Sequence, residues 1–326
     1  MKRQLTTLVA ACVLALSAAQ AYAQSYPNRP VRWLIPYSAG GPADLLARAV
    51  APKLSEQLGV PVIVENRTGA GGSIAMEAVA KSAPDGYTIG LGLTGTHMIN
   101  PFLYAKLPYD PLKDFSPVTP LVSYTNVLLV TADLPVKTVS DLVAYLKANP
   151  NKGTFASGGR GTSNHLQGEL LSSLTKTSML HVPYKGNAQG IVDVGSGNVT
   201  CMFDILATGL AHAKLGKVRA IAVSGMKRSP YAPEIPTLAE SGVAGYDEAG
   251  ADLWIGVFAP PGTPKPIVDR LYRELDKAMK TPEVAERVRG LYYDTWTLAP
   301  DEFAAYLRTD FEKWRKVTAL AGLKPE

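Results

Sequence analysis

Val31-Arg32-Trp33-Leu34-Ile35-Pro36-Tyr37-Ser38-Ala39-Gly40-Gly41-Pro42-Ala43-Asp44 is the stretch whose reading decides the fold. Val31 to Pro36 is apolar and β-prone and reads as a strand. Two glycines then break the chain, and from Asp44 to Leu58 apolar residues recur at helical spacing. The alternation continues outward. Val60 to Val64 reads as a second strand, Ser73 to Ser82 as a helix and Tyr87 to Leu93 as a third strand. A β-α-β-α-β order predicts an open, mostly parallel sheet with helices on both faces.

A second unit of the same kind begins near Asn126. Val127 to Thr131 is a strand, Ser140 caps a helix beginning at Asp141, and Thr154 to Ser157 is a short strand. A Gly-rich turn leads into a helix from Ser163 to Leu174, and Val199 to Phe203 reads as a buried strand. Further strands fall at Val218–Val223 and Trp254–Phe258, and helices at Pro266–Met279 and Pro300–Leu320. The length suits two domains. We expect one lobe from residues 24–125 with 249–326 and the other from 126–248, the chain crossing back near 250. Ligands of such sheets sit beyond the carboxyl ends of the strands, in the cleft between lobes.

The N-terminus reads as an export signal. Lys2 and Arg3 precede an uncharged apolar run from Leu8 to Ala19, and Ala21-Tyr22-Ala23 is a small-x-small cleavage pattern. The run is shorter than the roughly 20 residues of a membrane span. A competing lipoprotein reading of Val9-Ala10-Ala11-Cys12 is disfavoured because the apolar run continues past Cys12. Cleavage after Ala23 leaves 303 residues, and loss of Lys2 and Arg3 takes the formal charge from +5 to +3. That charge is not clustered, so no nucleic-acid surface is expected. Cys201 is then the one remaining cysteine, which excludes an internal disulfide and reads as a buried structural thiol. With no cysteine pair and no His-Glu-x-x-His, no metal site and no cofactor is expected.

Three Gly-rich turns precede helices: Pro36 to Asp44, Asn66-Arg67-Thr68-Gly69-Ala70-Gly71-Gly72-Ser73, and Ser157-Gly158-Gly159-Arg160-Gly161-Thr162-Ser163-Asn164-His165. Glycine lets backbone approach a ligand, and the unpaired N–H groups of a helix start attract an anion. For the first segment, Pro36 to Asp44, a plain tight turn with an ordinary cap is the competing reading. No Gly-x-x-x-x-Gly-Lys-Ser/Thr loop exists. Gly90-Leu91-Gly92-Leu93-Thr94-Gly95 fits the dinucleotide fingerprint but follows the third strand of its unit, and Pro101 cuts short a following helix. Catalytic signatures are absent: there is no Gly-x-Ser-x-Gly elbow and no Cys-His pattern. Asp204 ends a strand and serves either as a ligand contact or as a loop support.

Taken in order, Pro36 to Asp44, Glu65 to Gly72, Pro84-Asp85-Gly86-Tyr87-Thr88, His181-Val182-Pro183-Tyr184-Lys185-Gly186, Met202-Phe203-Asp204 and Ala259 to Pro264 resemble the Bug family. These are the extracytoplasmic solute receptors of tripartite tricarboxylate transporters, and the resemblance runs from about Tyr26 to the C-terminus. It implies an α/β two-domain clamshell like periplasmic binding proteins, each lobe a mixed, mostly parallel sheet flanked by helices. It implies a periplasmic, monomeric, non-enzymatic receptor that delivers a small carboxylate to large and small membrane subunits. Carried over by position, the ligand residues are Tyr37, Ser38, Ala39, Gly40 and Gly41 with Asp44 nearby, then Thr94, Thr96 and His97. In the second lobe they are Ser157, Gly158, Thr162 and His165, with Asp204 behind. Arg160 departs from the family pattern; it either reaches a distal carboxylate or faces solvent. A sensory receptor and a periplasmic hydrolase are the competing functions.

Overall fold

A computed structural model describes residues 26–246 and 253–325. The expected leader at 1–23 and the expected return crossing near 250 lie outside the described residues. The first unit runs β1 (Val31–Ile35), α1 (Pro42–Leu58), β2 (Val62–Asn66), α2 (Ser73–Ala80) and β3 (Thr88–Leu93). A π-helical turn at Gly95–Ile99 and a short α3 (Asn100–Leu103) follow, then β4 (Ser116–Tyr124). The second unit runs β5 (Asn126–Thr131), α4 (Val139–Ala148), β6 (Thr154–Ser157), α5 (Ser163–Thr175) and β7 (Leu180–Pro183). It continues with α6 (Asn187–Gly195), β8 (Cys201–Ile205), α7 (Leu206–Lys214) and β9 (Val218–Val223). The chain then adds β10 (Leu253–Ala259), α8 (Lys265–Met279), α9 (Pro282–Gly290), β11 (Asp294–Thr295) and α10 (Pro300–Leu320).

Two sheets result, ordered β11-β4-β10-β3-β1-β2 and β7-β6-β8-β5-β9. Each is mixed. β1 pairs parallel with β2 and β3, and β6 pairs parallel with β7 and β8, through helical crossovers. The parallel share is smaller than expected, because β10 lies antiparallel to β3 and β4, and β5 antiparallel to β8 and β9. A parallel neighbour needs a crossover on the way. β4 and β5 are separated by Thr125 alone and run straight from one sheet into the other.

Local chemistry sets the element ends. Pro42 opens α1, where its missing N–H costs nothing, and Gly59 closes it in the left-handed region at φ +73°. Pro61 has no N–H and gives only its carbonyl to Val31 N–H (2.9 Å), so β2 begins at Val62 rather than Val60. The expected cap Ser140 lies inside the first turn of α4. Thr138 is the cap: its hydroxyl accepts from Asp141 N–H (3.1 Å), and Asp141 accepts from Thr138 N–H (3.0 Å).

The first sheet's core is aromatic. Trp33, Trp254, Phe258 and Phe303 are fully buried, and Trp254 Nε1 donates to Asp310 at 2.8 Å. Burying each large apolar side chain contributes about 1.5–3 kcal/mol. Gly90 and Gly92 belong to this packing. A Cβ on Gly90 would meet Met76 and Val79 at 2.6 Å, and one on Gly92 would meet His97 and Phe258 at 2.4 Å. The dinucleotide-like glycines are thus places where side chains lie against a strand. Cys201 is buried, which pushes its thiol up to about 12. None of the described helices is long and apolar enough to cross a membrane.

Candidate functional site

The orders β2-β1-β3 and β7-β6-β8 make β1 and β6 equivalent centre strands. The loops leaving them, Pro36–Gly41 and Gly158–Thr162, therefore stand at the switch points of the two sheets, each leading into a helix N-terminus.

On the first loop Ser38, Ala39 and Gly40 are exposed. Gly40 needs φ +77°, and a Cβ there would meet nothing within 4 Å. Two of the four N–H groups expected to hold an anion are already engaged. Gly40 N–H donates to Asp44 (2.9 Å) and Gly41 N–H to Ser38 O (3.1 Å). Ser38 and Ala39 keep theirs, and Ala43 and Asp44 supply the orphan first-turn donors of α1, which has no side-chain cap. Asp44 is buried behind the loop. Its carboxylate also accepts from Arg48 Nε (2.9 Å) and Asn66 Nδ2 (3.0 Å). Burial alone would raise its pKa, but the bonds from Arg48, Gly40 and Asn66 outweigh it and hold the carboxyl below its usual range. Both Asp44 oxygens are engaged by protein donors, and the residue shapes the loop.

Three expected first-lobe residues sit in the interior. Thr94 Oγ1 accepts from Trp254 N–H (2.9 Å) and ties β3 to β10. Thr96 Oγ1 bonds back to Leu93 and to His97 Nδ1 (2.9 Å). His97 is the clearest correction: its ring stacks on Phe258 at 4.0 Å and lies among Tyr109, Phe115 and Trp254. Burial lowers its pKa to about 3, so the ring is a neutral member of the aromatic core.

On the second loop, Thr162 caps α5, its hydroxyl donating to Gly159 O (2.7 Å) and accepting from His165 N–H (3.4 Å). Ser157 Oγ is 2.6 Å from His181 Nε2 and accepts from Gly159 N–H. The rings of His165 and His181 lie 4.2 Å apart. Arg160 is half-buried, and its charge bears on His165, His181, Glu169 and Tyr104. Gly158 stands where a Cβ would meet Asn187 Oδ1 at 2.3 Å. Asp204 accepts from Asn187 Nδ2 and from Thr208 Oγ1 (2.8 Å), so it braces this wall from inside, with burial raising its pKa.

The loops meet at a glycine seam. A Cβ on Gly95 would lie 3.1 Å from Gly161 O and 3.3 Å from the Tyr37 hydroxyl; one on Gly161 would lie 2.2 Å from Asn100 Oδ1. Tyr104 OH donates to Arg160 O (3.4 Å) across it. The sequence reading missed Asn100, and the polar set at the base: Asn126 Nδ2 donates to Gln167 Oε1 (2.7 Å) and Ser163 Oγ (3.3 Å), and the Tyr124 hydroxyl bonds to Ser163. A lone asparagine opening an apolar strand was the available signal for Asn126. Surface hollows of about 240 Å3 beside Tyr231 and Arg289 and about 620 Å3 over Pro52 and Gly59 are lined by none of the loop residues.

The geometry has clear relatives. The model of the tripartite tricarboxylate transporter family receptor, TctC, matches residues 46–323. A UPF0065 protein from the tcbD-tcbE intergenic region of Pseudomonas sp. (strain P51) is 37% identical over 314 residues, covering 95% of this chain and 92% of that one. The structure of the periplasmic binding protein BugD superposes with a TM-score of 0.83 at 35% identity, covering 92% of this chain and 100% of that one. Rpa4515 of R. palustris, solved with adipate, gives 0.86 at 34% identity, over 93% and 100%.

Proposed function

Because this chain belongs to the TctC family of tripartite tricarboxylate transporter receptors, we propose that it is a periplasmic receptor that captures a small dicarboxylate and presents it to the transporter's membrane subunits, without catalysing a reaction. Its lobes are residues 24–125 with 249–326, and 126–248. The observation that carries this reading is the pairing of two helix N-termini, α1 and α5, each behind a loop at the carboxyl end of the middle strand of a parallel trio, β2-β1-β3 or β7-β6-β8. α1 has no side-chain cap, and at α5 the Thr162 hydroxyl takes only the His165 N–H, so each end keeps first-turn N–H groups and the positive pole of a helix dipole for an anion. A ligand with a carboxylate at each end satisfies both.

One carboxylate binds at Ser38, Ala39 and the first turn of α1, with Tyr37 and Gly41 shaping the approach. The other binds at the Ser157–His165 loop, where Gly158, Thr162 and Arg160 stand; Arg160 adds a full charge for a distal carboxylate. A hydrogen bond to a charged group contributes roughly 1.5–3 kcal/mol. Four or five therefore suffice for micromolar affinity, about −8 kcal/mol, after the cost of association. Adipate bound to the R. palustris relative supports the ligand class.

Calorimetric titration of the ligand-stripped protein with C4 to C6 dicarboxylates and their monocarboxylate counterparts tests the reading. Saturable one-to-one binding of a dicarboxylate, weaker for the monoacid, is expected. Equal affinity for both would refute the two-ended grip, and binding of no carboxylate would refute the function.

A further inference from the structure

We propose that His165, Glu169 and His181 form a binding site for one divalent transition metal ion of the zinc class. His165 and Glu169 stand one turn apart on α5, and His181 reaches them from β7. One donor atom from each residue lies within 4.8 Å of the other two, and His165 Nε2 is 3.7 Å from Glu169 Oε1. Zinc bonds to nitrogen and oxygen are about 2.0–2.2 Å, so donors around a tetrahedral ion stand roughly 3.3 Å apart. Side-chain rotation of a few tenths of an ångström to about 1.5 Å closes that gap without moving the helix or the strand.

The donor chemistry suits such an ion. Imidazole with one carboxylate matches zinc, copper or nickel better than calcium or magnesium. His165 is 4% exposed, and its Nδ1 has no hydrogen-bond partner. Ser157 Oγ, 2.6 Å from His181 Nε2, fixes the second ring as an outer-shell partner does in metal sites. Three protein ligands leave a coordination position open, as in zinc sites that accept an exchangeable oxygen ligand.

Arg160 opposes the ion. Its positive charge bears on all three ligands and so disfavours a cation among them. The site shares His165 with the proposed carboxylate loop, but its test uses metal with no organic acid present, so its failure and the failure of that function are read separately.

The test is calorimetric titration of full-length mature protein, freed of any histidine tag and stripped with chelator, with Zn2+, backed by the visible absorption of Co2+. We expect one-to-one binding with a tetrahedral cobalt spectrum. Ser157→Ala weakens it about ten-fold. His181→Asn and Glu169→Gln, each checked for native circular dichroism, weaken it further. Arg160→Gln tightens it. Absence of saturable zinc binding to the wild type, or undiminished binding in both Glu169→Gln and His181→Asn, overturns the proposal.

Discussion

Asp44 accepts the N–H of Gly40 at 2.9 Å, so the acid that opens the first helix also folds the loop in front of it. The same carboxylate receives Arg48 and Asn66, and its place is structural as much as electrostatic. Asp44→Asn keeps the shape and removes the charge. It should destabilise the protein by about 2 kcal/mol, the scale of a charge-assisted bond, and loosen the ligand loop. Because the folded carboxyl titrates below its unfolded value of 3.8, its contribution is complete above that pH and disappears as pH falls further. Urea unfolding at pH 7 and at pH 3 should therefore separate the wild type from Asp44→Asn at the higher pH and narrow the gap at the lower one.

His97 offers a second pH signature with a wider window. Its folded pKa of about 3 lies far below the ordinary 6.5, so the unfolded chain takes up a proton that the native one refuses. Stability from this group is full above pH 6.5 and is lost progressively as pH falls toward 3. His97→Phe should flatten that part of the stability curve and leave carboxylate affinity within about two-fold. A large loss of affinity in this variant would return His97 to the ligand site.

The glycine seam separates closure from folding. Gly161 holds φ +83°, and an added Cβ would run into Asn100 Oδ1 of the facing lobe at 2.2 Å. Gly161→Ala should weaken ligand binding by about ten-fold or more, and small-angle scattering with ligand should show a less compact particle. Gly92→Ala is the contrast. Its methyl would press into His97 and Phe258 within one lobe, costing about 1–3 kcal/mol of stability. A Gly161→Ala protein that closes and binds like the wild type would dismiss the seam as a closure contact.

Ligand should also act as a stabiliser in proportion to its affinity. At a hundred times its dissociation constant a dicarboxylate adds about 2.7 kcal/mol, readable as a rise in melting temperature. Since backbone N–H groups supply most of the contacts proposed here, Arg160→Ala should reduce that shift for dicarboxylates and leave monocarboxylates nearly unchanged. Equal losses on both would remove Arg160 from the distal end of the site.

Much of the fold was legible because strand and helix periods alternate cleanly and the Gly-rich turns fall between them. β1, α1, β3, β6 and α5 emerge close to their observed bounds for that reason. Pairing direction was not legible: it depends on where β10 and β5 insert, which no local pattern encodes. The loops were found through their glycines, yet side-chain direction was not. Thr94, Thr96 and His97 follow a strand end as ligand residues do, and turn inward because Trp254 and Phe258 arrive from 160 residues away to receive them. The convergence of His165, Glu169 and His181 was likewise hidden, since parallel pairing of β6 with β7 brings the last residue to the helix.

Thr125 is the whole of the first passage between the sheets, with Asn126 N–H held by Ser224 Oγ at 3.0 Å beside it. So short a tether leaves the second lobe almost no volume to explore. In the two-ended grip proposed above, the lobe that holds the acid presents it to the other at an effective concentration far above that of any free partner. Affinity would then grow from two modest grips acting in sequence. Lengthening the passage would dilute the second grip without touching a single contact.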